Sequence, residues 1–182
     1  MVHVKPGNVS REAAGHGMVA DDFLRCAAAA VVPLAQPGLA LGERIAQAVR
    51  AGSAAAGCNT SLGILLLCGP IVHAALAGGT DLHGAVRAVL QASTVEDCRR
   101  ICAAIAGASP GGLGSAPAHD VDGPVDAPLA EVMGAAAERD LIARQYRDGF
   151  ADVFDVLLPY WAGCHEGAWP VTRLFLFIAA RW

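Results

Sequence analysis

The sequence has few aromatic residues and no excess of positive charge. Aromatic residues make up 5% of its 182 residues although hydrophobic residues make up 54%, so alanine, leucine and valine supply most of the apolar surface. This composition favours closely packed helices over aromatic-rich strands. The net charge is -4, whereas proteins that bind nucleic acids concentrate lysine and arginine against the phosphate backbone. We therefore do not expect nucleic acid as a partner.

Long apolar segments are also missing. A helix that crosses a bilayer takes about 20 consecutive apolar residues, and the run from Leu62 to Leu76 is shorter and contains Pro70 and His73. A buried helix of a bundle is the better interpretation of this run, with His73 as a core histidine. The first 17 residues contain the turn dipeptide Pro6-Gly7 and lack the apolar segment of a signal peptide. These features predict a cytoplasmic protein with no membrane partner.

The motifs of several common enzyme classes are absent. The chain has no Walker A sequence, GxGxxG fingerprint, HExxH motif or nucleophile elbow, which excludes the usual interpretations as NTPase, dehydrogenase, zinc protease or hydrolase. Six cysteines are present, but no two form a CxxC pair. Cys98 and Cys102 lie one helical turn apart and could share a metal ion, although reduced, buried cysteines explain them more simply.

What the sequence does contain is a succession of helical patterns. Apolar residues recur at helical spacing in two early segments, Phe23, Leu24, Ala27 and Val31 in one and Leu41, Ile45, Ala48 and Val49 in the other. Serine or threonine at 93–94 followed by an acid at 96–97 fits a capping box. A long helical pattern resumes at Leu129, and no strand-like alternation appears. We predict an all-α, single-domain helical bundle over residues 1–182, with a long Gly/Pro-rich loop near residues 107–128.

Short glycine-flanked turns that lead into apolar helices are the candidate functional sites, because a helix start offers free amides and a positive dipole end to anions. Three such turns are KPGN at 5–8, GCNTSLG at 57–63 and GGLG at 111–114 with the later His-Asp pair at 119–120. Each has a purely structural alternative. Pro6-Gly7 is a common turn, Asn59 or Thr60 fits a helix cap, and Asp22 fits an acid in a first helical turn.

Taken in order, these motifs resemble one family over essentially the whole chain. KPGNVS, GHGM followed by DDF, GCNTSLGILLL, GGLG with HDV, and RDLIARQYRDGF are together similar to the triphosphoribosyl-dephospho-CoA synthase family. The resemblance implies an all-helical transferase. The best-known activity of the family takes ATP and 3'-dephospho-CoA, displaces adenine, and joins the triphosphoribosyl unit to the 2'-hydroxyl of the dephospho-CoA ribose.

The resemblance also implies roles for individual residues. Breaking an N-glycosidic bond passes through an oxocarbenium-like transition state, which a carboxylate stabilises and which an acid at the leaving base assists. The implied catalytic residues are His16, Asp22 and Asp120, and Asp22 and Asp120 are also the implied ligands of Mg2+. The implied nucleotide- and phosphate-binding residues are Lys5, Gly7, Asn8, Asn59, Thr60, Gly63, Asp140 and Arg144.

One departure from the family supports an alternative function. Synthases of the family continue after the asparagine-threonine pair with a histidine and a lysine, whereas this chain continues with Ser61, Leu62 and Gly63. The alternative is a divergent or degenerate relative that binds nucleotide without turnover, or one that acts in a one-carbon or pterin cofactor pathway.

Both ends also look short against the family. Apolar surface that a preceding helix would cover favours association, so we expect a homodimer.

Overall fold

The computed structural model describes residues 9–108, 123–164 and 170–181. These ranges contain nine α-helices, one π-helical segment and no β-strand, which confirms the all-α prediction. The α-helices are α1 (Ala20–Ala35), α2 (Leu41–Ala56), α3 (Leu62–Ala77), α4 (Leu82–Gln91), α5 (Val95–Gly107), α6 (Leu129–Ala136), α7 (Leu141–Arg147), α8 (Leu158–Cys164) and α9 (Pro170–Arg181), and the π-helical segment is Asp152–Leu157. Residues 109–122, most of the predicted loop, lie outside the described ranges.

Helix α2 lies at the centre of the bundle, where it packs against α1, α3 and α5. Its predicted apolar side is confirmed, because Leu41, Ile45, Ala48 and Val49 are all buried. These side chains pack with residues of α3, α4, α5 and α7 in one continuous core. Removing this apolar area from water is the main stabilising term of the fold.

Two glycines let neighbouring helices approach α2 closely. A Cβ atom at Gly42 would lie 2.5 Å from the Cα of Asp97 on α5. A Cβ atom at Gly69 on α3 would overlap the side chain of Ile45. The small size of both residues therefore sets the spacing of α2 from α5 and from α3.

The predicted apolar face of α1 is wrong. Of the four predicted residues, Leu24, Ala27 and Val31 are exposed and Phe23 is half-buried. The buried face carries Cys26, Ala30, Pro33 and Leu34 instead. An alanine-rich helix offers apolar residues on every side, so periodicity alone does not choose the face that packs. The exposed face is compatible with the expected homodimer, which stays a prediction.

Pro70 does not end α3 in the way that a proline inside a helix often does. The helix continues from Leu62 to Ala77, although Pro70 has no amide to donate to the carbonyl of Leu66. The buried hydroxyl of Tyr146 on α7 donates to that carbonyl instead, at 2.6 Å. Tyr146 therefore replaces the hydrogen bond that Pro70 removes and fixes α7 against α3.

This replacement predicts a coupling between two substitutions. Tyr146→Phe should lower the free energy of unfolding by about 1–2 kcal/mol, because a buried carbonyl loses its donor. In a Pro70→Ala background the amide of residue 70 can donate to Leu66, so the same change should cost about half as much or less. Urea unfolding of the four proteins measures both costs. An equal cost in the two backgrounds would contradict the proposed replacement.

The long helical pattern that begins at Leu129 proves to be several shorter elements. Asp140 caps a new helix after α6 has ended at Ala136. A second break follows α7, where Gly149 and Phe150 both have φ of 62°. Within the described part, no single helix is long and apolar enough to cross a membrane, although α3 and α4, which meet at 109°, reach that length and composition together.

Candidate functional site

Four of the residues singled out from the sequence, Lys5, Gly7, Asn8 and Asp120, lie outside the described residues. The others are His16, Asp22, Asn59, Thr60, Gly63, Asp140 and Arg144. The contacts of these seven decide which of them can act together.

Asp22 connects the start of α1 with the end of α2. One carboxylate oxygen accepts from the backbone amide of Val19 at 2.8 Å, as expected of an acid in a first helical turn. The other oxygen accepts from Arg25 at 2.5 Å, and Arg25 also donates to the carbonyl of Ala55 at 3.3 Å. The side chain of Asp22 is 13% exposed, so its carboxylate is oriented by two donors while remaining reachable from solvent.

Asn59 and Thr60 lie in the short connection between α2 and α3. The Oδ1 atom of Asn59 accepts from the amide of Leu62, the first residue of α3, at 3.2 Å, although the N-cap position itself is Ser61. The Thr60 and Ser61 hydroxyls lie 3.2 Å apart. Both Asn59 and Thr60 are partly exposed, so capping does not bury their polar atoms away from a ligand.

Gly63 brings the start of α3 against the start of α7. A Cβ atom at Gly63 would lie 2.9 Å from the Cδ1 atom of Ile142, so the first turns of the two helices are in contact. Asp140 caps α7 by accepting from the amides of Ile142 and Ala143 at 2.7 and 2.8 Å. Asp140 is therefore engaged with its own helix, whose first turn contacts α3 at Gly63.

Arg144 does not pair with Asp140, although the two residues have the four-residue spacing of a helical ion pair. Its guanidinium binds Asp152 instead, with Nε at 3.2 Å and Nη2 at 3.0 Å from Oδ2. Gln145 donates to the same oxygen at 2.7 Å. The sequence did not reveal Gln145 and Asp152, because their contact crosses the turn at Gly149 and lacks the three- or four-residue spacing of neighbouring positions on one helix.

His16 is exposed and has φ of 55°, a left-handed conformation that few non-glycine residues adopt. Its neighbour Gly15 forms an isolated bridge with Met18, with backbone N···O distances of 3.1 and 2.9 Å. This turn precedes α1 by only a few residues. His16 is therefore a short distance along the chain from Asp22, although no contact in the described structure joins the two side chains.

These contacts gather most of the seven residues at one end of the bundle. Asp22 lies at this end because its partner Arg25 donates to Ala55, near the end of α2. Asn59 and Thr60 follow the end of α2 by a few residues. Gly63, just after them, contacts the first turn of α7. The start of α3 presents a helix dipole at this end, which favours a bound anion, whereas the first amides of α7 already bind the Asp140 carboxylate. This arrangement suits a negatively charged small molecule.

A second polar cluster, which the sequence did not reveal, contains the buried residues Arg44 and Asp97 and the half-buried His73. Arg44 is 2% exposed, and its Nε atom donates to Nδ1 of His73 at 3.4 Å. Asp97 accepts from the Gly42 amide at 2.8 Å and from the amide and hydroxyl of Thr94 at 2.9 and 2.7 Å. Thr94 and Asp97 are the capping box of α5. The cluster therefore joins the starts of α2 and α5 to α3.

The pKa values in this cluster follow from its burial. Burial lowers the pKa of His73, the nearby charge of Arg44 lowers it further, and Asp97 opposes that shift. Burial by itself would raise the pKa of Asp97, but the hydrogen bonds from Thr94 and Gly42 outweigh burial and hold this pKa below its usual range. Neutral histidine and ionised aspartate are the forms that the fold stabilises.

This cluster predicts that acid destabilises the protein. The pKa of His73 is lower in the folded state than in the unfolded chain, so the unfolded chain binds the extra proton as the pH falls below about 6.5. Stability should therefore decrease between pH 7.5 and 5.5, and this decrease should be smaller in His73→Gln. Urea unfolding at the two pH values measures it. An identical pH dependence in the variant would show that His73 contributes nothing.

The described residues contain no group of three or more His, Cys, Asp or Glu side chains that could hold a metal ion. The Sγ atoms of Cys98 and Cys102 are 4.0 Å apart, and both residues are buried and reduced. The simpler interpretation of this pair, as buried thiols, agrees with that finding. An ion that arrives with a triphosphate needs only one or two protein carboxylates and no preformed cage.

Comparison with known proteins supports the resemblance seen in the motifs. The sequence model of one family, described as ATP:dephospho-CoA triphosphoribosyl transferase, matches residues 1–182. The comparison with curated proteins found no match, and neither did the comparison with solved structures. The family is one of transferases that act on small-molecule substrates. Because the match covers the whole chain, this protein belongs to the ATP:dephospho-CoA triphosphoribosyl transferase family.

Proposed function

We propose that this protein transfers the triphosphoribosyl group of ATP to 3'-dephospho-CoA, or to a related acceptor, with release of adenine. The observation that carries this proposal is the family match over residues 1–182. The gathering of Asp22, Asn59, Thr60 and the start of α7 at one end of the bundle supports it, since such an arrangement suits a nucleotide.

The reaction breaks the bond between C1' of the ATP ribose and the adenine nitrogen. The 2'-hydroxyl of the acceptor ribose then bonds to C1' and loses its proton, and the leaving adenine gains one. Positive charge develops on the sugar as the bond to adenine lengthens. In our proposal the carboxylate of Asp22, which two donors orient, stabilises that charge, with Asp120 as a second carboxylate and His16 as the proton-transfer group.

The triphosphate stays attached to the transferred sugar and needs cations and amide donors throughout. We assign it to Lys5, Gly7 and Asn8, together with the amides at the start of α3 beside Asn59, Thr60 and Gly63. Asp140 and Arg144 at the start of α7 complete the proposed nucleotide-binding residues. Mg2+ would accompany the triphosphate, with Asp22 and Asp120 as its protein ligands, and would neutralise part of the phosphate charge.

Chromatographic detection of free adenine tests the proposal. The protein should release adenine from ATP and Mg2+ in the presence of 3'-dephospho-CoA, and mass spectrometry should find the acceptor heavier by one triphosphoribosyl group. A panel of acceptors with a free ribose hydroxyl would then define the acceptor. ATP binding without adenine release from any acceptor would overturn the transferase proposal.

A second candidate function is nucleotide binding without turnover. The positions after Asn59-Thr60 favour it, because Leu62 packs against the core and Gly63 contacts α7, so neither supplies a cationic or acid-base side chain. Calorimetry with ATP and Mg2+ separates the two candidates. Heat of binding in the absence of adenine release supports the second candidate, and adenine release excludes it.

A further inference from the structure

The carboxylate of Asp152 is held through only one of its two oxygens. Oδ2 accepts from Nε and Nη2 of Arg144 and from Nε2 of Gln145, at 3.2, 3.0 and 2.7 Å. Oδ1 accepts no hydrogen bond from any residue that the structure describes. The side chain is 22% exposed, so a molecule in solution can reach it. Asp152 is thus a rigidly positioned carboxylate with one oxygen available to a ligand.

The hydrogen bond from Gln145 that positions Asp152 is accompanied by a cost in stability to the free protein. Gln145 is 6% exposed, and its Oε1 atom is buried without a partner among the described residues while Nε2 donates to Asp152. A buried acceptor that makes no hydrogen bond is costly. If Gln145 served stability alone, an apolar side chain of similar size would serve better.

The backbone around Asp152 is also irregular. Phe150 is completely buried yet has φ of 62°, a conformation that an aromatic residue rarely adopts. A π-helical segment then begins at Asp152 itself. Backbone strain and π-helical turns are concentrated at functional sites, where the surrounding structure maintains them for a purpose other than stability.

The charge of Arg144 indicates which ligand this carboxylate suits. The Arg144 guanidinium is only 23% exposed, so it compensates the charge of Asp152 with little screening by water, and this pair attracts a metal cation or a sugar cation only weakly. Arg25 beside Asp22 is 54% exposed, so water screens its charge and Asp22 keeps more of its attraction for a cation. The compensating charge does not prevent Oδ1 from accepting a hydrogen bond from a neutral donor, because both lone pairs of this oxygen are available. A hydroxyl group is the donor that fits. The start of α7, three residues before Arg144, lies against the start of α3 at Gly63, which places Asp152 near the proposed nucleotide.

We propose that Asp152 binds a ribose hydroxyl of the nucleotide substrate and that Gln145 is a positioning residue, which holds the carboxylate in place. This inference rests on the proposed function, because the ribose belongs to the ATP of that reaction. Asp152 would bind a neutral hydroxyl of the sugar, whereas Asp22 and Asp120 are the carboxylates proposed to face the positive charge that develops on it.

Calorimetry with Mg2+ and ATP, 2'-deoxy-ATP or 3'-deoxy-ATP tests the inference. In the unaltered protein, at least one deoxy analogue should bind about 10-fold or more weakly than ATP, since it lacks a hydrogen bond to a charged acceptor. In Asp152→Ala this ratio should fall to within about threefold. Asp155→Ala is the matched control, because Asp155 lies in the same π-helical segment and is 58% exposed, and it should keep the ratio of the unaltered protein.

Gln145→Leu separates positioning from a structural role. Leucine removes both the donor to Asp152 and the unpartnered acceptor, so the thermal midpoint should stay the same or rise while the ratio between ATP and the deoxy analogue falls. A structural role predicts the opposite pair of results, a lower midpoint with an unchanged ratio. If Asp152→Ala does not fold, Gln145→Leu and the unaltered protein decide the question.

Each outcome has a definite meaning. ATP and both deoxy analogues binding equally to the unaltered protein would overturn this inference and leave the proposed function standing. A ratio that persists in Asp152→Ala, or that Asp155→Ala abolishes equally, would also overturn the inference. No binding of ATP at all would overturn the proposed function and this inference with it.

Discussion

Arg44→Met is expected to lower the free energy of unfolding by about 3 kcal/mol. The Arg44 guanidinium donates to the carbonyls of Leu34, Gln36 and Leu39 at 2.5, 2.9 and 3.4 Å and contacts His73. These carbonyls lie where α1 ends and the chain turns into α2. Methionine fills much of the same space but offers no donor, so the Leu34 carbonyl would lose its buried partner, and the carbonyls of Gln36 and Leu39 would lose partly buried ones.

Arg50→Met is the matched control for this substitution. Arg50 lies on the same helix, but its side chain is 63% exposed and reaches Glu43 at 3.3 Å. Exposed ion pairs contribute little, so the control should change stability by less than about 1 kcal/mol. Urea unfolding midpoints of the two variants provide the comparison. Equal losses would show that the hydrogen bonds of Arg44 are not what stabilises the turn.

Short-range patterns predicted the helices well where polar and apolar residues contrast. The apolar side of α2 followed from Leu41, Ile45 and Val49 because Glu43, Gln47 and Arg50 occupy the opposite side, although the charged residue Arg44 is buried. The capping box of α5 followed from Thr94 and Asp97 because its two hydrogen bonds join residues three positions apart. Both features depend on local geometry, which a single sequence contains.

Where this contrast is missing, the sequence could not decide. Helix α1 is alanine-rich, and its true packing face, which includes Cys26 and Ala30, is no more apolar than the exposed face with Leu24 and Val31. The long pattern after Leu129 hid its breaks for a related reason. A cap at Asp140 and left-handed residues after α7 end helices without interrupting the apolar periodicity.

Part of the candidate site could be predicted, because its residues sit on motifs that mark helix starts. Asn59 lies next to such a start in the structure, whereas Asp140 was named only through the resemblance and its place at the start of α7 was not predicted. The group of Arg144, Gln145 and Asp152 could not be predicted, since Asp140 is occupied as a helix cap and Arg144 therefore takes a partner beyond the next turn. Pairings across a turn depend on backbone conformation, which spacing does not reveal.

The proposed chemistry predicts a larger effect at Asp22 than at any other residue of the first helical turn of α1. Asp22→Asn should lower the rate of adenine release about 100-fold, because an amide keeps the shape of the carboxylate but has no charge to stabilise the sugar cation. Asparagine can still accept from the amide of Val19. The start of α1 should therefore stay folded, and the loss should appear in the rate rather than in stability.

Asp21→Asn is the control that isolates this effect. Asp21 precedes Asp22 in the same first turn and is exposed, so both variants remove one negative charge near the positive end of the α1 dipole and should lose similar, small amounts of stability. Only Asp22 binds Arg25, which also binds the end of α2. Adenine release by Asp21→Asn should stay within about twofold of the unaltered protein. A rate that falls equally in both variants would assign the effect to the helix dipole, and an unchanged rate in Asp22→Asn would leave Asp22 as a helix cap without a part in catalysis.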